Sequence, residues 1–125
     1  MLLQQGAYIH QPGPKQWAAV KRLVLEHRCR VVFPIYPKGP KYNYKQAYPP
    51  MIRLLEKVAA EAREEGKRYL LMGDSAGGGF AIGLAIALRD QNKAEAMPAQ
   101  LVLSSPWTDL ALDNPDLVDQ NSKVR

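Results

Sequence analysis

Cysteine is all but missing from this chain of 125 residues. Cys29 stands alone, so no internal disulfide can form and nothing points to an oxidising compartment. Its neighbours Arg28 and Arg30 are of the kind that lowers a thiol pKa, yet a single cysteine between a helix and a strand reads as a small buried hydrophobe. Long apolar runs are also absent. No stretch reaches transmembrane length and the N-terminus carries no signal-peptide pattern, so a soluble, cytoplasmic protein is expected. There is no cysteine pair, no HExxH and no acidic loop, so no metal is expected, nor any other cofactor. The glycine cluster Gly77, Gly78 and Gly79 lacks both the Lys-Ser/Thr ending of a P-loop and the third-glycine spacing of a dinucleotide turn. A basic stripe is missing too. The net charge of +5 is spread as isolated or paired residues and interleaved with acids from Glu56 to Glu65, which reads as solvated helix faces and argues against a nucleic-acid partner.

What is present is a Gly-x-Ser-x-Gly pattern in a telling place. Gly73, Asp74, Ser75, Ala76 and Gly77 lie between the apolar run Tyr69 to Met72 and the apolar helical stretch Phe80 to Leu88. A strand before and a helix after are what a nucleophile elbow requires. Reversing a strand into a helix within two residues forces the central serine into a strained backbone, and small residues two positions away on each side prevent collisions. Gly73 and Gly77 supply that room, and the Ser75 hydroxyl is then presented at the start of a helix, where free N–H groups favour developing negative charge. Asp74, the variable residue of the elbow, reads as a structural hydrogen-bond acceptor, and the amide of Ala76 as one oxyanion donor.

The remaining chain alternates. Trp17, Val20, Leu23, Val24 and His27 recur at helical spacing and predict a helix from Lys15 to His27. Val31 to Ile35 predicts a strand, with Pro34 confining it to a strand end or an edge. Pro49 and Pro50 suit the first turn of a second helix, whose stripe Met51, Leu54, Leu55, Val58, Ala59 and Ala62 ends before Gly66. Tyr69 to Met72 predicts the strand into the elbow, Ala81 to Leu88 a buried helix, and Leu101 to Leu103 a last strand. Leu70, Leu71, Ile82, Leu84, Ile86, Leu101 and Leu103 are the expected core. Strands separated by single helices pair in parallel through right-handed crossovers. The fold class is therefore α/β, a mostly parallel sheet with helices on both faces, and ligands in such sheets bind beyond the C-terminal strand ends.

The blocks Gly6-Ala7-Tyr8, Pro34-Ile35-Tyr36-Pro37, Ala47-Tyr48-Pro49, Met72 to Gly78 and Ser105-Pro106-Trp107-Thr108-Asp109-Leu110 resemble, in order and spacing along nearly the whole chain, the α/β-hydrolase fold in its hormone-sensitive-lipase-like branch of carboxylesterases. The resemblance implies a serine carboxylic-ester hydrolase acting on a small-molecule ester through Ser75. It also implies an oxyanion hole from Gly6, Ala7 and Ala76, and pocket positions at Tyr8 and Trp17 beside the oxyanion loop. Gln4 and Gln5 stand where the family has His and the first Gly of its oxyanion loop. The family's late segments bearing the triad acid and His find no match. His27 is expected on the opposite sheet edge from Ser75, while His10 and Asp109 are on the correct edge but outside the family's acid and base positions. The expectation is thus a single partial domain, 1–125, the central part of such a fold and the product of truncation. It should hydrolyse short esters poorly by itself and self-associate through open sheet edges. The alternative is a non-catalytic, hydrolase-like binding or interaction domain.

Overall fold

The computed structural model describes residues 1–110. The elements run β1 (Leu2–Leu3), α1 (Pro14–Leu25), α2 (Tyr44–Glu64), β2 (Leu70–Asp74), α3 (Ala76–Asp90), a 3₁₀ turn (Ala94–Ala96) and β3 (Gln100–Ser104). The single-domain reading of 1–125 extends into residues 111–125, outside the described part. The three strands form a parallel sheet in the order β1-β2-β3, with Leu3 opposite Gly73 and Gly73 opposite Leu103. This is the expected α/β class with a parallel sheet and crossover helices.

Period-two alternation decides what each strand buries. Leu3 and Leu71, on the face toward α3, are fully buried with Leu84 and Leu88, and α2 adds Leu55, Met51 and Ile52 behind them. Leu70 points the other way and is 40% exposed, as is Val102 at 41%. Of the expected core, Leu71 and Leu84 are buried, Ile82 and Leu103 half-buried, and Leu70, Ile86 and Leu101 exposed. The correction has a simple cause: on the second sheet face α1 reaches only the β1 side, through Leu23 near Leu2 and Met72, which leaves Leu70 and Val102 largely uncovered, and β3 is an edge strand among the described residues.

Three boundaries differ from expectation. α2 starts five residues before the proline pair, because Asn43 caps it: the Asn43 Oδ1 accepts from the Lys45 N–H at 3.0 Å and Gln46 Oε1 accepts from the Asn43 N–H at 3.0 Å. That reciprocal cap nucleates the first turn, and Pro49 and Pro50 sit inside the helix despite lacking donors. α3 starts at Ala76, its glycine-rich first turn held by packing rather than by propensity. The run Val31 to Ile35 forms no strand. The Leu2 N–H donates to the Val32 carbonyl at 2.9 Å, but Pro34 has no N–H to extend the ladder.

α1 runs over Pro14–Leu25 as the spacing suggests, yet none of its residues is buried. Its apolar stripe approaches the open face only through Leu23, which shares a cavity of about 420 Å³ with Leu2 and Met72. Cys29 is exposed, not buried, since the turn that follows α1 points into solvent.

Candidate active site

Ser75 has φ 53° and ψ −119°, between the last residue of β2 and the first of α3. A residue with a Cβ rarely holds such angles, and doing so costs on the order of 1–3 kcal/mol. The conformation is held from both sides. The Ser75 N–H donates to the Ser104 carbonyl at 2.9 Å, and the Ser75 carbonyl accepts from the amides of Gly78 (3.0 Å), Gly79 (3.2 Å) and Trp107 (2.9 Å). The strand end, the helix start and the Ser105-Pro106-Trp107 segment therefore meet at one residue.

The elbow glycines sit where no side chain fits. A Cβ on Gly73 would lie 2.3 Å from the Gly77 carbonyl oxygen, and one on Gly77 would lie 2.4 Å from that of Leu3 and 2.6 Å from that of Gln4. A Cβ on Gly79 would meet the Trp107 carbonyl oxygen at 2.0 Å and the Tyr8 hydroxyl at 2.8 Å. These contacts bring the loop after β1 against the elbow. Within that loop Gly6 (φ 129°), Ala7 (φ 49°) and Tyr8 (φ 60°) run consecutively through left-handed conformations, closed by bonds from the Ile9 and His10 amides to the Gly6 carbonyl at 2.9 and 2.8 Å. Among the described residues the amides of Gly6, Ala7 and Ala76 donate to no acceptor, and Ala76 is fully buried. Asp74 pairs in register with Ser104 and is half-buried.

Aromatic side chains line the same edge. Phe80, one turn into α3, has the rings of Tyr36 at 4.8 Å, Tyr48 at 5.2 Å and Tyr8 at 6.4 Å, and Tyr8 also meets Trp107 at 6.1 Å. Trp17 is elsewhere: it stacks edge-on against Phe33 at 5.1 Å and is 51% exposed. Sequence reasoning placed Tyr8 and Trp17 together; only Tyr8 joins the ring cluster. It missed Phe80 and Lys38. Lys38 is buried, its ammonium donating to the His10 carbonyl and lying 4.9 Å over the Tyr36 ring.

Burial raises the phenol pKa of Tyr8, with neighbouring Tyr48 adding to it; burial, then Tyr8, pushes Tyr36 up to about 12, and burial alone raises Tyr48 and Tyr69. Burial lowers Lys38. In the unfolded chain the phenols ionise near pH 10, so above that the unfolded state holds fewer protons than the fold. The phenols' contribution is therefore complete below about pH 10 and falls as pH rises toward the folded value of about 12 for Tyr36. Lys38 acts in the opposite sense, but four tyrosines outweigh it. Chemical unfolding followed by circular dichroism is expected to show a steep loss of stability between about pH 10 and pH 12, shallower in Tyr36→Phe.

Among the described residues neither imidazole bonds to Ser75. His10 is exposed with its backbone tied to the loop, and His27 follows α1 near the N-terminal strand ends. The 420 Å³ cavity also lies at those N-terminal ends, lined by Leu23, Val58, Arg68 and Leu70, away from the elbow.

Comparison with known proteins places these features in a family. Residues 2–124 match a family model described as the alpha/beta hydrolase fold. LipR of Mycobacterium tuberculosis, named as an acetyl-hydrolase, is 38% identical over 111 residues, covering 89% of this chain and 35% of that protein. An esterase of Acinetobacter venetianus is 28% identical over 100 residues, covering 80% of this chain and 32% of that protein. A crystal structure from Staphylococcus aureus, named as an esterase, superposes with a TM-score of 0.82 at 28% identity, covering 95% of this chain and 39% of that one. The chain spans about a third of the length of the curated relatives it matches.

Proposed function

Since this chain belongs to the alpha/beta hydrolase fold family, we propose that it carries the nucleophile of a serine carboxylic-ester hydrolase acting on small-molecule esters. The observation behind the reading is the backbone of Ser75, φ 53° and ψ −119°, maintained where a strand ends and a helix begins. Such angles suit glycine at the second position of a II′ turn; a serine holding them between a strand and a helix, fixed by four backbone hydrogen bonds, fits a nucleophile elbow.

In this reading the Ser75 Oγ attacks the ester carbonyl carbon and its proton passes to a general base. The negative charge gathering on the carbonyl oxygen is met by the unengaged amides of Ala76, Gly6 and Ala7 and by the N-terminal end of α3. Collapse of the tetrahedral intermediate expels the alcohol and leaves an acyl group on Ser75; water then releases the acid. Gly73, Asp74 and Gly77 shape the elbow. Tyr8, with Phe80 and Trp107, forms an apolar wall for the acyl or alcohol group, and Trp17 belongs to a more distant rim. No imidazole engages Ser75 among the described residues, and the reading assigns the base and its orienting acid to none of them. The acetyl-hydrolase name of the 38%-identical relative favours short acyl groups. Among the described residues no helix is long and apolar enough to cross a membrane, and with the free thiol of Cys29 this suits a cytoplasmic site of action.

The test is turnover of p-nitrophenyl acetate and its loss in Ser75→Ala. Turnover undiminished in that variant would overturn the reading, and absence of both turnover and covalent labelling in the full protein would favour a non-catalytic binding domain.

Self-association belongs to the same proposal. The open sheet face and edge leave Leu70, Leu101 and Val102 about two-fifths exposed, and unpaired strand edges of this kind recruit other chains. Size-exclusion chromatography of the 125-residue chain is expected to show species larger than its 14.0 kDa. A monodisperse monomer with a sharp thermal transition would contradict it.

A further inference from the structure

The turn that carries Gly6 and Ala7 is held from outside by one short segment. Tyr36 Oη donates to the Gln4 carbonyl at 3.3 Å, the Gly39 N–H donates to the Tyr8 carbonyl at 3.0 Å, and Lys38 Nζ donates to the His10 carbonyl. These acceptors bracket the two amides. Inside the bracket three consecutive residues have positive φ, two of them not glycine, so the turn by itself favours relaxation to ordinary backbone angles. Lys38 is the costly member of the set. It is 7% exposed, pairs with no carboxylate among the described residues, and offsets its lost hydration with one carbonyl and the Tyr36 ring at 4.9 Å. A leucine or methionine would fill the same space without that penalty.

We propose that Lys38 is a positioning residue, whose ammonium pins the His10 carbonyl and thereby fixes the Gly6 and Ala7 amides in the orientation that receives the oxyanion. The inference rests on the esterase reading of Ser75. Lys38 makes no hydrogen bond to Ser75; it acts through the backbone of the turn, as Tyr36 and Gly39 do, but through a charged donor whose burial is costly without that bond.

The test compares Lys38→Met with Lys38→Arg and Lys38→Gln in the full protein. A donor displaced by about 1 Å costs on the order of 10²-fold in rate, so Lys38→Met is expected to lower kcat for p-nitrophenyl acetate by about 10- to 100-fold with KM within about twofold. Rates are normalised to sites titrated by a phosphonate probe, so a variant that merely folds less completely keeps its kcat. Lys38→Arg, which retains a charged donor, is expected to recover most of the loss. Independently of turnover, amide hydrogen exchange over residues 5–10 is expected to quicken about 10-fold in Lys38→Met, with α3 unchanged. If Lys38→Met does not fold, Lys38→Gln is held to the same two measurements. Unchanged exchange in that turn, or an unchanged kcat per titrated site, overturns the inference, while Ser75→Ala run in parallel reports separately on the nucleophile.

Discussion

Gly77→Ala is expected to destabilise the fold by about 3 kcal/mol, at the upper end of the usual cost of overpacking. The new methyl would stand 2.4 Å from the Leu3 carbonyl oxygen, 2.6 Å from that of Gln4 and 2.7 Å from the Leu3 carbonyl carbon. All three atoms are backbone, so no rotamer change relieves the clash; β1 and α3 must separate. Gly73→Ala meets the same difficulty from the other side of the elbow, 2.3 Å from the Gly77 carbonyl oxygen and 2.7 Å from the Gly78 Cα. Gly66→Ala is the control. It has φ +64° but nothing within 4 Å, so its cost is backbone strain alone, about 1 kcal/mol. Native domains are stable by only about 5–15 kcal/mol, so the difference is readily read from urea unfolding midpoints. Gly77→Ala unfolding at the same midpoint as Gly66→Ala would show that the close approach of β1 to α3 is not as described.

The second large effect is chemical. In any preparation that hydrolyses p-nitrophenyl acetate, Ser75→Ala is expected to lower kcat by at least about 10³-fold, because what survives the loss of a nucleophile is only binding and the oxyanion site. Alanine keeps the Cβ and with it the strain at φ 53°, so stability is expected to stay close to that of the parent. Ser75→Gly relieves the strain and is expected to be about 1 kcal/mol more stable while equally inactive. The pair separates the loss of a reactive group from any loss of fold. Thermal unfolding alongside kinetics checks it, and a destabilised Ser75→Gly would mean that the Ser75 side chain supports the structure instead.

The strand–turn–helix at Ser75 was legible because its constraint is local: two glycines, a serine, a strand and a helix within some twenty residues. The parallel sheet followed from the alternation of apolar runs. What escaped depended on partners distant in sequence or on competing local signals. The start of α2 was written in Asn43 and Gln46, a cap and its reciprocal acceptor, but the proline pair downstream reads more strongly as a helix beginning. The Val31 to Ile35 run has strand composition, and Pro34 decides against a ladder. The stripe on α1 presumes a covering surface, and Trp17 remains half-exposed because none is present among the described residues. Lys38 was beyond sequence reasoning altogether. A lysine in a proline- and glycine-rich loop reads as solvated, and only the approach of the 6–10 turn buries it.

The central claim is that Ser75 is a nucleophile presented by a strained elbow. Its most direct measurement is the mass of the protein after exposure to a fluorophosphonate ester, followed by peptide mapping of the adduct. The account predicts one phosphonyl group per chain, on Ser75, and none in Ser75→Ala. An adduct on another residue, or one that persists in the alanine variant, would contradict it.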